Sequence, residues 1–344
     1  MFAPSRSQRM LAAASLAGII AVTAAGCSNG TSNGTGGAAS ASGADRNVNV
    51  IVVSGPLDDP YFGAIKRGTD DAAKQAGVTA QYLSPSSSKE GSGPTLARLV
   101  QDAINKKPDA LVVANFFPDA ENAVIKQATA AGIPVILQNT GNDIWKELGA
   151  KSYVGLEPRP VGVEAANQMT AKNIKKVLCV NPVPGNPFLE QACEGLTDGM
   201  KNDGGAATTI SIPYSDVTNP TKVKQSIQGA LKADPSIEGV FVFGSAVAEN
   251  AKQAAADSGM KLAIGTGDLS TQVLKDIQSG DIAFALDSQP YLQGYYPVLM
   301  AAQYVRFGIM PAGEIVTGPN VVTQANVADV LKINQETKGI RGAS

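Results

Sequence analysis

The sequence predicts an α/β protein made of two lobes, each a parallel sheet covered by helices on both faces. Short apolar runs recur from residue 48 onward and alternate with helix-compatible segments. Most of these runs are continuously apolar, as strands buried on both faces of a parallel sheet are. A polar break from Gly141 to Gly149, followed by the short run Tyr153-Val154-Gly155 and Pro158, separates the runs into two sets. Two similar lobes, with a cleft lined by loops from the carboxyl ends of both sheets, account for that division better than one large sheet.

At the amino end, Arg6 and Arg9 precede a short Ala-rich apolar segment, Met10 to Ala25, that leads into Ala24-Ala25-Gly26-Cys27. The segment is short for a membrane span and fits an export signal over residues 1–26. Plain secretion is one reading; the small-residue ending also resembles a bacterial lipoprotein box, which implies that Cys27 becomes a lipid-modified amino terminus. Residues 27–46 are nearly all Gly, Ser, Ala, Asn and Thr. Such a stretch cannot bury a core and reads as a flexible tether at a membrane surface.

The first lobe takes the runs Val48–Val53, Ala80–Leu83, Ala110–Ala114 and Pro134–Leu137 as strands. The second takes Val177–Val180, Thr209–Ile212, Val240–Phe243, Leu262–Ile264 and Ile282–Leu286. Between the first two runs, Phe62, Ile65, Thr69, Ala72, Ala73 and Ala76 fall on one helical face; Val223, Ile227, Ala230 and Leu231 do the same further on. Gly77, Gly132 and Gly259 mark helix ends. Cys179 falls on a strand and Cys193 on the helix after it. In an exported chain these two are either bridged, at about 3 kcal/mol for such a loop, or free buried thiols.

Composition removes whole classes of chemistry. The chain has no histidine. Ser-His-Asp and Cys-His nucleophiles and histidine metal sites are therefore excluded. A net charge of −2 without a basic stripe argues against nucleic acid as a partner. No metal or cofactor site is expected; Gly265-Thr266-Gly267 lacks the third glycine of a dinucleotide fingerprint.

The expected strand ends carry a coherent set of side chains. They present Asp58-Asp59-Pro60-Tyr61-Phe62, Asn115-Phe116-Phe117 and Gln138-Asn139-Thr140 in the first lobe. From the second come Glu157, Asn181, Asn186, Phe188, Ser245, Asp268 and the cluster Asp287-Ser288-Gln289. Planar donors and acceptors suit vicinal hydroxyls, and aromatic faces suit the apolar side of a sugar or polyol ring. Few cations accompany them, which disfavours phosphorylated ligands. The expected ligand-binding set is Asp59, Tyr61, Phe62, Asn115, Phe116, Asn139, Glu157, Asn186, Phe188, Ser245, Asp268, Asp287, Ser288 and Gln289. Adjacent carboxylates such as Asp58 and Asp59 rarely converge, and one of them reads better as a helix cap. Trp145, the only tryptophan, either edges the cleft or anchors its loop.

The segments DPYFGAIKRGTDDAAKQAG, AGIPVI, YVG, PYLQGY and TGPNVV, in this order, resemble the periplasmic-binding-protein-like family of sugar ABC-transporter receptors. The resemblance covers Asn47 to Gln335. It implies a type I periplasmic binding protein: two Rossmann-like lobes with parallel sheets joined by a three-stranded hinge. Crossings near Gly155–Leu156, Ser288–Gln289 and Thr317–Gly318 would make residues 47–155 with 289–317 the N-terminal lobe, and 156–288 with 318–344 the C-terminal lobe. It implies a ligand site including Tyr61, Phe62, Asn115, Asn139, Glu157, Asp268 and residues 287–289. KVLCVN and EQACEG are similar to a subgroup in which Cys179 and Cys193 are bonded. The chain departs from the family at Leu156-Glu157, at Ser288, and at Glu190-Gln191-Ala192, where an arginine is often found.

The expected function is a monomeric, lipid-anchored extracytoplasmic receptor that hands a sugar, polyol or related neutral molecule to an ABC permease, without cofactor or catalysis. A sensor partnered with a membrane signalling protein, or an exported carboxylate-dependent enzyme, are the other readings. A cytoplasmic repressor is disfavoured, since residues 1–46 offer a signal and tether instead of a DNA-binding helix pair.

Overall fold

The computed structural model describes residues 46–337 and 339–343. The expected signal segment, the tether up to residue 45 and Cys27 lie outside them.

The first sheet has β1 (Asn49–Val53), β2 (Thr79–Leu83), β3 (Ala110–Val113), β4 (Val135–Asn139), β5 (Ser152–Gly155) and β11 (Ile315–Val316), in the order β11-β5-β4-β3-β1-β2. The second has β6 (Lys176–Asn181), β7 (Ala206–Ser211), β8 (Gly239–Val242), β9 (Ala263–Thr266), β10 (Phe284–Asp287) and β12 (Asn320–Val322), in the order β12-β10-β9-β8-β6-β7. Each sheet repeats the other's plan, with a short late strand added at one edge. Pairing is parallel except for β12, which runs antiparallel to β10 with Asp287 opposite Asn320. The two short strands β11 and β12 have too few apolar residues to announce themselves in sequence.

Helices α1 (Pro60–Ala76), α2 (Gly93–Asn105), α3 (Pro118–Ala130) and α9 (Pro290–Phe307) accompany the first sheet. The second carries α4 (Pro158–Thr170), α5 (Pro187–Asn202), α6 (Pro220–Ala233), α7 (Ser245–Asp257), α8 (Thr271–Ser279) and α10 (Val327–Glu336). Alternate residues along a strand face opposite layers. Val50 and Val52 pack towards α1 and α9, while Ile51 and Val53 pack towards α2 and α3. In the second sheet Leu178 and Val180 join the α6–α8 layer, and Val177 and Cys179 join α4 and α5. Burial on both faces explains why the runs read as continuously apolar.

Helices α1 and α9 cross closely because Gly294 lies against the backbone of α1, where a Cβ would overlap the Ile65 carbonyl oxygen. A disulfide joins Cys179 of β6 to Cys193 of α5. Trp145 is buried in the core of the first sheet with Leu148 and Ala150, so it anchors its loop and is absent from the cleft walls. Among the described residues no helix is long and apolar enough to cross a membrane.

The chain passes between the sheets three times. It leaves the first after Gly155, returns between β10 and α9, and leaves again between β11 and β12.

Candidate functional site

A cleft of about 400 Å³ lies between the carboxyl ends of the two sheets. Each wall is set by a strand end that turns directly into a helix. In the first lobe, β1 leads to Asp59, which caps α1 by accepting a hydrogen bond from the Tyr61 N–H at 3.0 Å. Its neighbour Asp58 turns the other way and accepts from the Ser88 N–H (2.9 Å) and hydroxyl (2.8 Å). The adjacent carboxylates thus diverge. In the second lobe, Asn186 caps α5 by accepting from the Phe188 N–H at 3.0 Å.

Two aromatic pairs, one from each lobe, contribute to the lining. Phe62 meets Phe116 edge-on with centroids 5.6 Å apart, and Phe188 meets Phe243 at 6.5 Å. Such edge-to-face contacts fix ring orientation.

The hinge end of the cleft is polar. The Tyr61 hydroxyl accepts from Asn139 Nδ2 (2.8 Å) and Ser288 Oγ (3.2 Å) and donates to Gln293 Oε1 (3.1 Å). It has no capacity left for a ligand. Asn139 Nδ2 also donates to Gln293 Oε1 at 3.0 Å. The Oδ1 of Asn139, the hydroxyl lone pairs of Ser288 and the second oxygen of Asp59 are then the acceptors at this end, while Asn186 keeps its amide N–H groups as donors.

Asp268 faces the cleft after β9 and accepts from the Gly244 N–H at 2.9 Å. Burial, followed by the nearby negative charges of Asp59 and Asp287, pushes its carboxyl up to about 7. Burial likewise raises Asp59. Thr140 also lines the cleft; its hydroxyl is buried and has no hydrogen-bond partner. No Lys or Arg is among the described lining residues. The arrangement is rich in acceptors and poor in positive charge, so it suits a ligand that donates hydrogen bonds and carries no anionic group.

Of the expected residues, the structure brings Asp59, Tyr61, Phe62, Phe116, Asn139, Asn186, Phe188, Ser245, Asp268 and Ser288 to the cleft. It does not bring Asn115, Glu157, Asp287 or Gln289 to the lining. Asn115 is buried and donates through Nδ2 to Asn122 at 2.9 Å. Glu157 precedes α4 and is half-buried outside the cleft. Asp287 accepts from Arg341 Nη1 and from the Gln289 N–H, both at 2.9 Å. Gln289, at a left-handed φ of 52°, reaches the Thr317 carbonyl.

The sequence reading did not anticipate Val183, Val217, Thr218, Phe243 and Gly342 as cleft residues. Phe243 was legible as the last residue of the expected strand Val240–Phe243, one residue past the end of β8. Thr218 and Gly342 sit in irregular segments that no periodicity marks.

The profile of the periplasmic binding protein domain family matches residues 48–308. Among solved structures, the chain is similar to a carbohydrate transporter from Acidothermus cellulolyticus in complex with myo-inositol. The two share 34% identity and a TM-score of 0.78, over 86% of this chain and 100% of that one. The xylose/arabinose-binding protein of Sulfolobus acidocaldarius is 22% identical over 299 residues, 82% of this chain and 72% of that protein. The ribose import binding protein of Bacillus subtilis is 24% identical over 240 residues, 69% of this chain and 75% of that protein. With two sheets facing one cleft across three crossings, and a family match that spans most of the chain, this protein belongs to the periplasmic binding protein domain family.

Proposed function

We propose that the chain is the solute receptor of an ABC importer and takes a neutral sugar or polyol in the cleft. The observation that carries this reading is the cleft's hydrogen-bonding inventory: carboxylates, Asn and Ser side chains among aromatic rings, with no lining Lys or Arg. Ligand hydroxyls would donate to Asp59, Asp268, Asn139 and Ser288, and the Phe62–Phe116 and Phe188–Phe243 pairs would flank the ring. The relatives' names, which include xylose, arabinose and ribose, and the myo-inositol complex point to the same ligand class.

In this reading residues 47–155 with 289–317 and residues 156–288 with 318–344 move as two bodies about the three crossings. Ligand shifts the open–closed equilibrium through contacts made only when both lobes touch it. The closed form is what a permease would recognise. The receptor is a monomer, tethered by lipid at Cys27, and its Cys179–Cys193 bridge is oxidised in the exported protein. It binds without chemical conversion.

A thermal-shift screen against pentoses, hexoses, inositols and pentitols tests the proposal. A ligand at 100 times its dissociation constant stabilises the folded protein by about 2.7 kcal/mol. Stabilisation by at least one neutral carbohydrate or polyol is expected. No response to any of them, with a clear response to another class, would overturn the reading.

A further inference from the structure

The polar cluster at the hinge end of the cleft continues behind the cleft wall. Gln293 and Thr317 are buried, at 0% and 2% exposure, and neither lines the cleft. Both halves of the Gln293 amide are engaged. Its Oε1 accepts from the Tyr61 hydroxyl and Asn139 Nδ2, and its Nε2 donates to the Ser288 carbonyl and to Thr317 Oγ1, each at 3.1 Å. One side chain thereby joins a residue of α1, the end of β4, the crossing before α9 and the crossing after β11.

Thr317 completes the junction. Its hydroxyl donates to the Ser288 carbonyl at 2.8 Å, its N–H donates to the Gly155 carbonyl at 2.8 Å, and its own carbonyl accepts from Gln289 Nε2 at 2.5 Å. The first two passages of the chain between the sheets are therefore both bonded to one threonine of the third. Around it the packing is tight. The Tyr153 hydroxyl lies 2.8 Å from the Asn139 carbonyl and 2.9 Å from that of Leu156, and a Cβ on Gly155 would overlap that hydroxyl.

A glutamine with no exposure is an expensive choice for the inward face of a helix unless its partners matter. The other buried residues of α9, among them Pro290, Gly294, Pro297 and Val298, all lack polar side-chain groups, and an apolar side chain of similar length would leave none to satisfy here. The choice instead holds Tyr61, Asn139 and Ser288 in one arrangement, fixed relative to the crossings. Gln293 is bonded both to Ser288 and Thr317 at the crossings and to Tyr61 and Asn139 at the cleft, so a rotation about the crossings would bear on the cleft through it.

We propose that Gln293 and Thr317 are positioning residues that tie the cleft-facing Tyr61, Asn139 and Ser288 to all three crossings, so that ligand affinity and lobe closure depend on two side chains no ligand touches. The inference rests on the receptor reading above for its ligand, and on the junction geometry alone for its effect on the lobes.

The test uses the full chain with Thr317→Val, which removes the hydroxyl and keeps the shape, Thr317→Ser, which restores the hydroxyl, and Gln293→Met. Calorimetric titration with myo-inositol gives affinity, solution scattering without ligand gives the radius of gyration, and thermal melting reports folding. Loss of the two bonds made by the Thr317 hydroxyl should weaken myo-inositol binding by at least about threefold in Thr317→Val. Thr317→Ser should return it to within about twofold of wild type. Gln293→Met should weaken binding by at least about tenfold. The ligand-free radius of gyration should increase in Thr317→Val and Gln293→Met.

A lower melting temperature with wild-type affinity and wild-type radius of gyration would make both residues merely structural and overturn the proposal. Should Thr317→Val not fold, Gln293→Met decides by the same readouts. If wild type itself ignores myo-inositol and every other neutral polyol, the receptor reading fails, while the ligand-free scattering still supports or refutes the junction.

Discussion

Asp268 offers a perturbation whose size and sign both follow from its surroundings. Its carboxyl sits at about 7, against 3.8 for an ordinary aspartate, chiefly because of burial and next because of Asp59. The folded state therefore holds this proton more tightly than the unfolded chain does. Below pH 3.8 both states are protonated and the group contributes no difference. As pH climbs from about 4 to 7, the unfolded chain releases the proton first and the folded state loses stability; above about 7 the penalty is complete. At 1.36 kcal/mol per pKa unit the full cost has an upper limit of roughly 4 kcal/mol.

Asp268→Asn removes the charge and keeps an oxygen for the Gly244 N–H. The ligand-free variant should be more stable than wild type at pH 8, with the gap closing towards pH 4. The same substitution replaces a charge-assisted bond to the ligand by a neutral one, so sugar or polyol affinity at pH 8 should fall by about tenfold. Urea unfolding at pH 4, 6 and 8, paired with titration at pH 8, measures both effects. Parallel stability–pH curves for the two proteins would refute the reasoning, because the carboxylate would then carry no folding penalty.

Other sites give independent checks. Glu121 is buried at the start of α3, and burial lifts its carboxyl to about 8. Glu121→Gln should therefore melt higher than wild type at pH 9 and nearly the same at pH 4. Gly294→Ala forces α1 and α9 apart and should cost about 1–3 kcal/mol of overpacking, read by denaturant midpoint. Replacing Cys179 and Cys193 together by Ser opens a link between residues 14 apart and should cost about 3 kcal/mol on the chain-entropy account. Mass spectrometry of the denatured, unreduced wild type should find no free thiol at either position.

The architecture was legible because burial on both sheet faces leaves a strong trace: β3, β8 and β1 from Val50 onward are unbroken apolar runs, and the following helices repeat at 3.6. Late strands β11 and β12 left none, since two or three residues at a sheet edge need little apolar surface. For the cleft, the rule that strand ends face it located Asp59, Asn139, Asn186 and Asp268. That rule fails where a strand-end side chain has a protein partner. Asp287 is engaged by Arg341, which returns from the far end of the chain, and Asn115 by Asn122. The same limit applies to Tyr61, whose hydroxyl reaches the cleft with its bonding capacity already filled. Gln293 was invisible to the rule because it lies inside a helix, one turn past the corner it controls.

The central claim is that one neutral polyhydroxylated molecule sits between two lobes and draws them together. Solution scattering of the chain with and without saturating ligand, using the strongest responder from the thermal-shift screen, tests it most directly. The account predicts a smaller radius of gyration on binding, reached at one ligand per chain. Saturation with no change in the radius, or with more than one ligand per chain, would contradict it.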